Sequence, residues 1–451
     1  MIWHLEVILL TNDSVTVHKF GGSCLRDNSD LDQIASIIQT FPGRPVIVVS
    51  ALWGTTDRLM RAANEPKYAT RLVDDLRRQH IRFAPNIENS EFAKMFASVL
   101  SGIETSLSEI SKKTEDINHV NTLLAAGERL SALVVSYHLR SMGIDAHPVG
   151  SEDIGLHLDG IGNAYSVDIE YSIQNLDYQS LNQIPVITGW FGEGKDGKIA
   201  LLDRGGSDHS ATAIARILDA EKVILWKDIE GVLAVNPRWG IETEPIPYLG
   251  YGEARELTRM DAPIIHSSTM EPIQETGIPI EIRHLYSNQT GLAPTTIGPD
   301  IVKQNYTKAI GCLRSVCKIE IDTKGSESSK SVGELLIRLN GKNITCWSLN
   351  YLPGKVELVI SQNKFNEAKG IISSIFDKME IMDYPALISL IGYLEIENLK
   401  FNLLAKIELN DDLIFLSKTP HSIQLLCKND DIKSILVKLS KLVNSKQIKS
   451  N

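Results

Sequence analysis

Short apolar runs alternate with amphipathic stretches along the first 300 residues of the chain. The apolar runs lack strict alternation, which is typical of strands buried on both faces of a parallel sheet: SVTVHKF, PVIVVSAL, PVITGWFG and KVILWKDI. Helical periodicity appears between them, in segments such as DLDQIASIIQTF and SDHSATAIARIL. The pattern predicts parallel βαβ units, which end near residue 300, where Asn, Gly and Pro residues cluster in YSNQTGLAP.

Beyond residue 300 the strands and helices follow a different order. The run CKIEID, a helical segment, KVELVIS, the helix NKFNEAKGIISSIF and the strand ALISLIG come in turn, and a similar order then recurs. Two βαββαβ units of this kind are typical of ferredoxin-like modules. We therefore predict domains over residues 1–300, 301–383 and 384–451. The last helix is apolar on one face and is expected to close a small sheet, and a helix lying on a membrane surface is the alternative.

Composition and charge narrow the class of protein. The 451 residues carry a formal net charge of -10, which argues against nucleic acid or an anionic membrane as the main partner. His4 and Glu6 interrupt the apolar stretch MIWHLEVILL, so neither a signal peptide nor a membrane span is expected. The five cysteines are scattered without a CxxC pair, which predicts neither a zinc site nor a disulfide framework. We expect a cytoplasmic protein without a protein-bound metal.

Three loops that follow predicted strands carry residues suited to bind anions. In KFGGS, Lys19 ends a strand and two glycines follow, so backbone N–H groups can approach a phosphate closely. VVSALWGTTDRL places hydroxyl groups near the same sheet edge, and DRGGSDHSATAIA places Arg204 and two glycines before a helix. The alternative for Ser207 or Asp208 is an ordinary N-cap. Because open α/β sheets bind ligands at the carboxyl ends of their strands, we expect the three loops to meet in one site.

The ordered set KFGGS, SALWGTTDRL, LLAAGERLSALVV, RGGSDHSATAIA and WKDIEGVLAVNPR resembles the aspartokinases of the amino acid kinase superfamily. The resemblance covers residues from about 15 to 300, two degenerate ACT-like modules follow, and WKDIEGVL is most similar to the plant-type monofunctional enzymes. It implies a three-layer αβα fold, with ATP and Mg²⁺ as the cosubstrate complex. It also implies transfer of the γ-phosphoryl group to the β-carboxylate of L-aspartate, which gives 4-phospho-L-aspartate for lysine, threonine and methionine synthesis.

The resemblance further implies roles for individual residues. Phosphoryl transfer depends on positioning and charge neutralisation, and the acceptor carboxylate is already ionised at neutral pH, so no general base is needed. Lys19 is expected between the γ-phosphate and the acceptor, and Asp208 is expected to bind the ammonium group or organise magnesium-bound water. The other residues are expected to hold the substrates: Ser50, Thr56, Glu128, Arg204 and Ser207 the aspartate, and Gly21, Gly22, Ser23, Lys227, Asp228 and Arg238, together with Lys19, the ATP.

The acceptor side needs charges of both signs, because aspartate carries one ammonium group and two carboxylates. Glu128 suits the ammonium group, and Arg204 suits a carboxylate as a bidentate fork. The alternative for Glu128 is an ordinary acidic residue in the first turn of a helix, where it would interact with the helix dipole.

Several positions depart from the pattern of the family. Asp203 replaces a glycine, Asn236 replaces an aspartate, and Pro263 stands where a lysine or glutamine borders ATP, which removes a donor and a flexible cation. In the ACT-like modules, the turns GSESSK from residue 325 and GYLE from residue 392 lack the glycines that shape an effector pocket. We therefore expect weak feedback control, with modules that serve mainly to assemble a homodimer.

Two other functions stay open from the sequence. One is an amino acid kinase that acts on a different carboxylate acceptor. The other is a non-catalytic, amino-acid-sensing protein built on the same scaffold. Lys19 and Asp208 are both present, which favours the active enzyme.

Overall fold

The computed structural model describes residues 14–112, 117–203, 205–260, 265–287, 291, 293–301, 306–323, 328–393 and 411–443. The chain divides into two compact units. The first unit contains Met1–Val232 and Ile265–Pro299, and the second contains Leu233–Ile264 and Asp300–Asn451. The predicted boundary near residue 300 thus coincides with one junction, while residues 233–264 group with the second unit. The division into three domains stays a prediction.

The described residues form seventeen strands and eleven α-helices. The strands are β1 Val15–Phe20, β2 Arg44–Val49, β3 Ala146–Val149, β4 Asn163–Ala164, β5 Ile184–Thr188, β6 Phe191–Glu193, β7 Ile199–Leu202, β8 Lys222–Lys227, β9 Tyr248–Gly250, β10 Ile280–His284, β11 Thr295–Gly298, β12 Ala309–Asp322, β13 Ser348–Leu352, β14 Lys355–Ser361, β15 Met379–Ile391, β16 Leu413–Lys418 and β17 Ser422–Cys427. The helices are α1 Asn28–Thr40, α2 Thr55–Asn64, α3 Leu72–Phe83, α4 Ala93–Ser111, α5 Ile117–Ser141, α6 Ile169–Gln174, α7 Gly206–Ile217, α8 Tyr251–Arg259, α9 Ser328–Asn340, α10 Phe365–Ser373 and α11 Ile432–Ser440.

Strands of the first unit form a largely parallel sheet in the order β3-β5-β2-β1-β8-β10-β11. The pairs from β3 to β10 are parallel, and β11 runs antiparallel to β10. The prediction of parallel βαβ units is confirmed. Because β1 lies between β2 and β8, the loops that follow these three strands emerge side by side at one edge of the sheet.

Alternate residues of the central strands face two different helical layers. Phe20, Ile47 and Ile224 belong to a core that they share with α1 and α5. Their neighbours Val17 and Leu225 are also fully buried, and α7 packs against β1, β2 and β8. Coverage of both faces explains why apolar residues occur on both faces of these strands and do not alternate strictly with polar ones. The first unit therefore has the expected three-layer αβα arrangement.

The second unit is built on a six-stranded antiparallel sheet in the order β13-β14-β12-β15-β17-β16. In chain order, β12, α9, β13, β14, α10 and β15 make one βαββαβ unit, as expected for a ferredoxin-like module. The strand β15 continues into a second half with β16, β17 and α11, so the predicted boundary between residues 383 and 384 falls inside β15. Residues 394–410, between β15 and β16, lie outside the described residues.

Each half of this sheet has its own apolar core. The β12–β15 ladder is interrupted where Ser315, at a φ of 52°, faces Pro385, because proline has no N–H to donate. The four apolar residues of the last helix are buried against β15 and β17: Ile432, Ile435, Leu436 and Leu439. The prediction that this helix closes a sheet is therefore confirmed, and the alternative of a helix lying on a membrane surface is wrong. Within the described part of the chain, no helix combines the length and apolarity needed to cross a bilayer.

Candidate active site

Two lysines meet one aspartate where β1 and β8 end. Lys19 Nζ lies 2.6 Å from Asp208 Oδ1, and Lys227 Nζ lies 2.8 Å from Asp208 Oδ2. Burial alone would raise the pKa of Asp208, but the two lysines outweigh it and hold that pKa below its usual range. Asp208 therefore stays ionised, and the Lys-Asp-Lys group keeps a net positive charge at the carboxyl edge of the sheet.

Strand periodicity explains why the two lysine side chains converge. In the parallel pair of β1 and β8, Lys19 is the partner of Leu225. Lys227 follows Leu225 by two residues, so it projects from the same face of the sheet. That face is covered by α7, whose first turn carries Asp208. The sheet thus presents two cations to one carboxylate on the helix above it.

Helix α7 begins at a glycine turn that brings its N-terminus into the site. Its N-cap is Gly205, at a φ of 81°, where a Cβ atom would lie 2.4 Å from the Cβ of His266. The N-cap alternative for Ser207 or Asp208 is therefore wrong, and both residues belong to the first turn. The N-terminus of a helix attracts anions through its dipole and its free N–H groups.

Glu128 is buried with one oxygen atom open. Its helix, α5, begins at Ile117, so Glu128 lies in mid-helix and the first-turn alternative is wrong. The side chain is 2% exposed, Oε1 accepts a hydrogen bond from Ala51 N at 3.2 Å, and no described residue donates to Oε2. Burial raises the pKa of Glu128 to about 8, although Ala51 N–H and Lys19 act in the opposite direction. Glu128 therefore keeps its proton at neutral pH in the absence of a ligand. An ammonium group at Oε2 would stabilise the ionised form, because a buried charge needs a partner.

The glycines after Lys19 let two loops come into contact. A Cβ atom on Gly22 would lie 3.2 Å from Ala51 O, and one on Gly21 would lie 3.3 Å from Lys19 Nζ. The loops are also joined by a hydrogen bond of 3.1 Å from Ser50 N to Phe20 O. Glycine therefore leaves room for the lysine ammonium group over the turn and for the next loop beside it.

These loops and helices enclose a cleft of about 630 Å³. Small-molecule sites have volumes of roughly 300–1,000 Å³, so the cleft has the size of a ligand site. It is lined by more than half of the residues predicted from the sequence: Lys19, Gly22, Ser50, Thr56, Glu128, Ser207 and Asp208. Segments that are far apart in the chain thus meet at one edge of the sheet.

The other predicted residues have different places. Four of them lie in the Lys19 turn or at the end of β8: Gly21, Ser23, Lys227 and Asp228. Arg238 lies in the second unit, in the turn Pro237–Trp239, where Asn236 caps the turn by accepting from Arg238 N. Arg204 lies outside the described residues, and so does Pro263.

Residues without a role predicted from the sequence also line the cleft. Trp53 and Trp190 contribute aromatic rings, and Asp57 and Asp203 contribute carboxylates. Trp190 takes a φ of 74°, which is rare for a residue other than glycine and is often found at functional sites. Nothing in the sequence around Trp190 indicates that conformation. For Trp53 a signal existed, since it lies inside the second anion-binding loop.

The described residues contain no group of three or more His, Cys, Asp or Glu side chains arranged to hold a metal ion. The charged side chains that line the cleft are Lys19 and the carboxylates of Asp57, Glu128, Asp203 and Asp208, and Lys227 joins them through its contact with Asp208. This arrangement is suited to binding phosphate and amino groups.

The sequence matches the amino acid kinase family over residues 14–284. It is similar to Aspartokinase 1, chloroplastic, of Arabidopsis thaliana, with 31% identity over 324 residues, which cover 68% of this chain and 56% of that protein. The chain thus spans about half the length of the curated relatives that it matches.

Two solved structures of Escherichia coli aspartokinase III share the fold. The structure in complex with aspartate and ADP has a TM-score of 0.75 and 20% identity, and the match covers 95% of this chain and 99% of that chain. The structure in complex with lysine and aspartate has a TM-score of 0.76 and 20% identity, with 95% and 100% covered. At this identity the likeness shows the fold alone. The family match, however, spans more than half of the chain and contains the whole cleft, so the chain belongs to the amino acid kinase family.

Proposed function

We propose that this protein is an aspartate kinase, which transfers the γ-phosphoryl group of ATP to the β-carboxylate of L-aspartate. The product is 4-phospho-L-aspartate, the first step towards lysine, threonine and methionine. The observation that carries the proposal is the presence of Glu128 and Lys19 in one cleft. A buried carboxylate with an open oxygen suits the ammonium group of an amino acid, and a lysine suits the point where two anions must meet. The relatives support this acceptor, since one is named an aspartokinase and another was solved with aspartate and ADP.

On this proposal an oxygen of the β-carboxylate attacks the γ-phosphorus of ATP. The bond from that phosphorus to the β–γ bridging oxygen breaks, and ADP leaves with the electron pair. The carboxylate is ionised at neutral pH, so no residue has to remove a proton. The main barrier to approach is the repulsion between two anions, and Lys19 offsets it from within the cleft.

Asp208 prepares the site by holding two ammonium groups before the substrates arrive. Because Lys19 and Lys227 are both fixed on Asp208, little reorganisation is needed when negative charge moves towards the bridging oxygen. Lys19 then stabilises the negative charge between the γ-phosphate and the acceptor carboxylate, and Lys227 contributes its positive charge to the binding of ATP. Asp208 contributes through its charge and position, and its low pKa excludes it as a proton donor at neutral pH.

ATP enters as its magnesium complex. Magnesium ions in kinase sites are held mainly by phosphate oxygens and water, with one or two protein carboxylates. Asp228, at the end of β8, is the carboxylate that we assign to the nucleotide side. The N–H groups of the turn after Lys19 are assigned to phosphate oxygens: Gly21, Gly22 and Ser23. Arg204 and Arg238 are proposed to bind the acceptor carboxylate and the nucleotide, respectively.

Incubation with Mg²⁺–ATP and a panel of amino acids, followed by hydroxylamine trapping, tests the function directly, because hydroxylamine converts an acyl phosphate to a hydroxamate. We expect a hydroxamate with L-aspartate and its loss in Lys19→Ala. A hydroxamate with a different acid would show a kinase with another acceptor. The absence of any product, with ATP bound, would favour a sensing protein and contradict the proposal.

Assembly and location are further parts of the proposal. We propose a homodimer formed through the ACT-like modules, supported by β13, which lies at the edge of its sheet and exposes Leu349, Tyr351 and Leu352. Light scattering at micromolar concentration should give a mass near twice 50.0 kDa. A cytoplasmic location is proposed from the composition, and cell fractionation tests it.

A further inference from the structure

Trp53 lies at the mouth of the cleft with much of its ring open to solvent. The residue is 58% exposed and lines the same cleft as Lys19 and Glu128. An exposed aromatic side chain needs no functional explanation on its own, because most protein surfaces contain some. Trp53 differs because three contacts hold it in place, two from the consecutive residues Leu25 and Arg26 and one from Gln79 on α3.

The first of these contacts fix the backbone of Trp53. Its N–H donates to Leu25 O at 3.1 Å, in the loop that follows the Lys19 turn. Its carbonyl oxygen accepts a hydrogen bond of 3.4 Å from Gln79 Nε2 on α3. The backbone of Trp53 is therefore hydrogen-bonded to the Leu25 loop on one side and to α3 on the other. These bonds fix the point at the cleft mouth from which the ring projects.

The remaining contact fixes the ring through Arg26. The Cζ atom of Arg26 lies 4.9 Å from the centre of the Trp53 ring, which is the distance of a cation–π contact. The guanidinium group is itself held by Asp228, with Nη2 2.6 Å from Oδ2. Arg26 thus links the ring to the end of β8, so the ring is held by the nucleotide side of the site as well as by its own loop.

We propose that Trp53 limits the length of the acceptor, and that Arg26 is a positioning residue that holds the Trp53 ring. The inference rests on the proposed function, in which the acceptor's ammonium group binds Glu128 and its reacting carboxylate lies at Lys19. With both ends fixed, an extra methylene must bulge sideways from the line between them. The loop of Ala51 to Trp53 runs beside that line, because Ala51 N contacts Glu128 and Trp53 follows two residues later.

Removal of the ring should therefore relax the selection against longer acids. In an apolar pocket one methylene changes kcat/KM by roughly 10–200-fold. We expect Trp53→Ala to raise the ratio of kcat/KM for L-glutamate to that for L-aspartate by about tenfold or more. Trp53→Phe keeps a flat ring at the same place and should leave the ratio within about twofold. Arg26→Met removes the cation but keeps the length of the side chain. Its ratio of kcat/KM for L-glutamate to that for L-aspartate should therefore lie between the ratios of Trp53→Ala and Trp53→Phe.

The experiment measures kcat/KM for L-aspartate, L-glutamate and L-2-aminoadipate in the wild type and these variants. Tyr165→Ala is the matched control, because Tyr165 is an aromatic residue of the first unit, 80% exposed and outside the cleft lining. An unchanged ratio in folded Trp53→Ala would overturn the inference while leaving the aspartate kinase intact. If the wild type phosphorylates none of the three acids, the proposed function fails instead. Calorimetric binding of the same acids to the wild type and Trp53→Ala then decides the role of the ring, and equal affinities in both proteins reject it.

Discussion

Replacement of Glu128 by glutamine should stabilise the protein and weaken its use of the acceptor. The unfolded chain has a pKa of about 4.5 at this residue and the folded chain about 8, because burial disfavours the charge. Between these pH values the folded state holds a proton that the unfolded state has lost, so the free energy of unfolding falls as pH rises. Below about pH 4.5 Glu128 is protonated in both states, so it no longer lowers the free energy of unfolding.

The size of the effect follows from the pKa values. A pH of 7 is about 2.5 units above the pKa of Glu128 in the unfolded chain. At about 1.36 kcal/mol per unit, burial of Glu128 lowers the free energy of unfolding of the wild type by about 3 kcal/mol at this pH. Above pH 8 the difference levels off near 5 kcal/mol, as an upper limit. Glutamine has nearly the same shape, keeps an oxygen for Ala51 N–H and does not titrate, so Glu128→Gln should recover most of this free energy.

The assay is urea unfolding of the wild type and Glu128→Gln at pH 5, 7 and 8.5, with Glu104→Gln as a control at an exposed glutamate on α4. We expect the stability difference to grow with pH for Glu128→Gln and to stay near zero for the control. In the same variant the KM for L-aspartate should rise at least tenfold while the KM for ATP stays nearly constant. A stability difference that is independent of pH would refute the assigned burial of the charge. A rise in the KM for ATP alone would refute the assigned contact with the ammonium group.

Three further predictions concern the lysine, the glycine turn and regulation. Lys19→Ala should lower kcat at least about a hundredfold with an unchanged circular dichroism spectrum, since one electrostatic contact to a transition state contributes roughly 3 kcal/mol; near-normal turnover would remove Lys19 from the mechanism. Gly205→Ala should lower the melting temperature more than Gly143→Ala. Both glycines have a φ near 80°, but a Cβ atom at Gly205 would lie 2.4 Å from the Cβ of His266, whereas one at Gly143 would meet open space; equal decreases in melting temperature would contradict this. Lysine, threonine, methionine and S-adenosylmethionine should each inhibit weakly, since a ligand shifts activity only by its difference in affinity between two states; half-inhibition at sub-millimolar concentration would reveal an effector pocket.

The parallel sheet and the three anion-binding loops were predictable from local pattern. Strands covered on both faces favour apolar residues on both faces, so β2, β5 and β8 contain short apolar runs, and β1 is interrupted by Thr16, His18 and Lys19. Two of the loops follow β1 and β2, and parallel strands end at one edge of their sheet, which brings Lys19 and Thr56 to one cleft. The third loop follows β7, which belongs to the separate sheet β4-β7-β6, and Ser207 reaches the cleft at the N-terminus of α7. The chemistry of those loops was predictable because glycine lets backbone N–H groups approach an anion, lysine neutralises it, and three anion-binding loops occur in one chain.

Pairing and burial at the site were decided by the tertiary structure. Asp208 lies 189 positions after Lys19 in the chain, and no local pattern relates them; their contact depends on α7 covering the face of the sheet from which Lys19 projects. The same is true of Glu128, whose open oxygen and raised pKa come from the strands and helices packed around the middle of α5. Trp190 was beyond prediction because a positive φ in a residue other than glycine is strained, and only the surrounding packing can hold it. Local sequence specifies the elements through short-range sterics and hydrophobic period, whereas the charges of a site depend on neighbours that are close in space and distant in sequence.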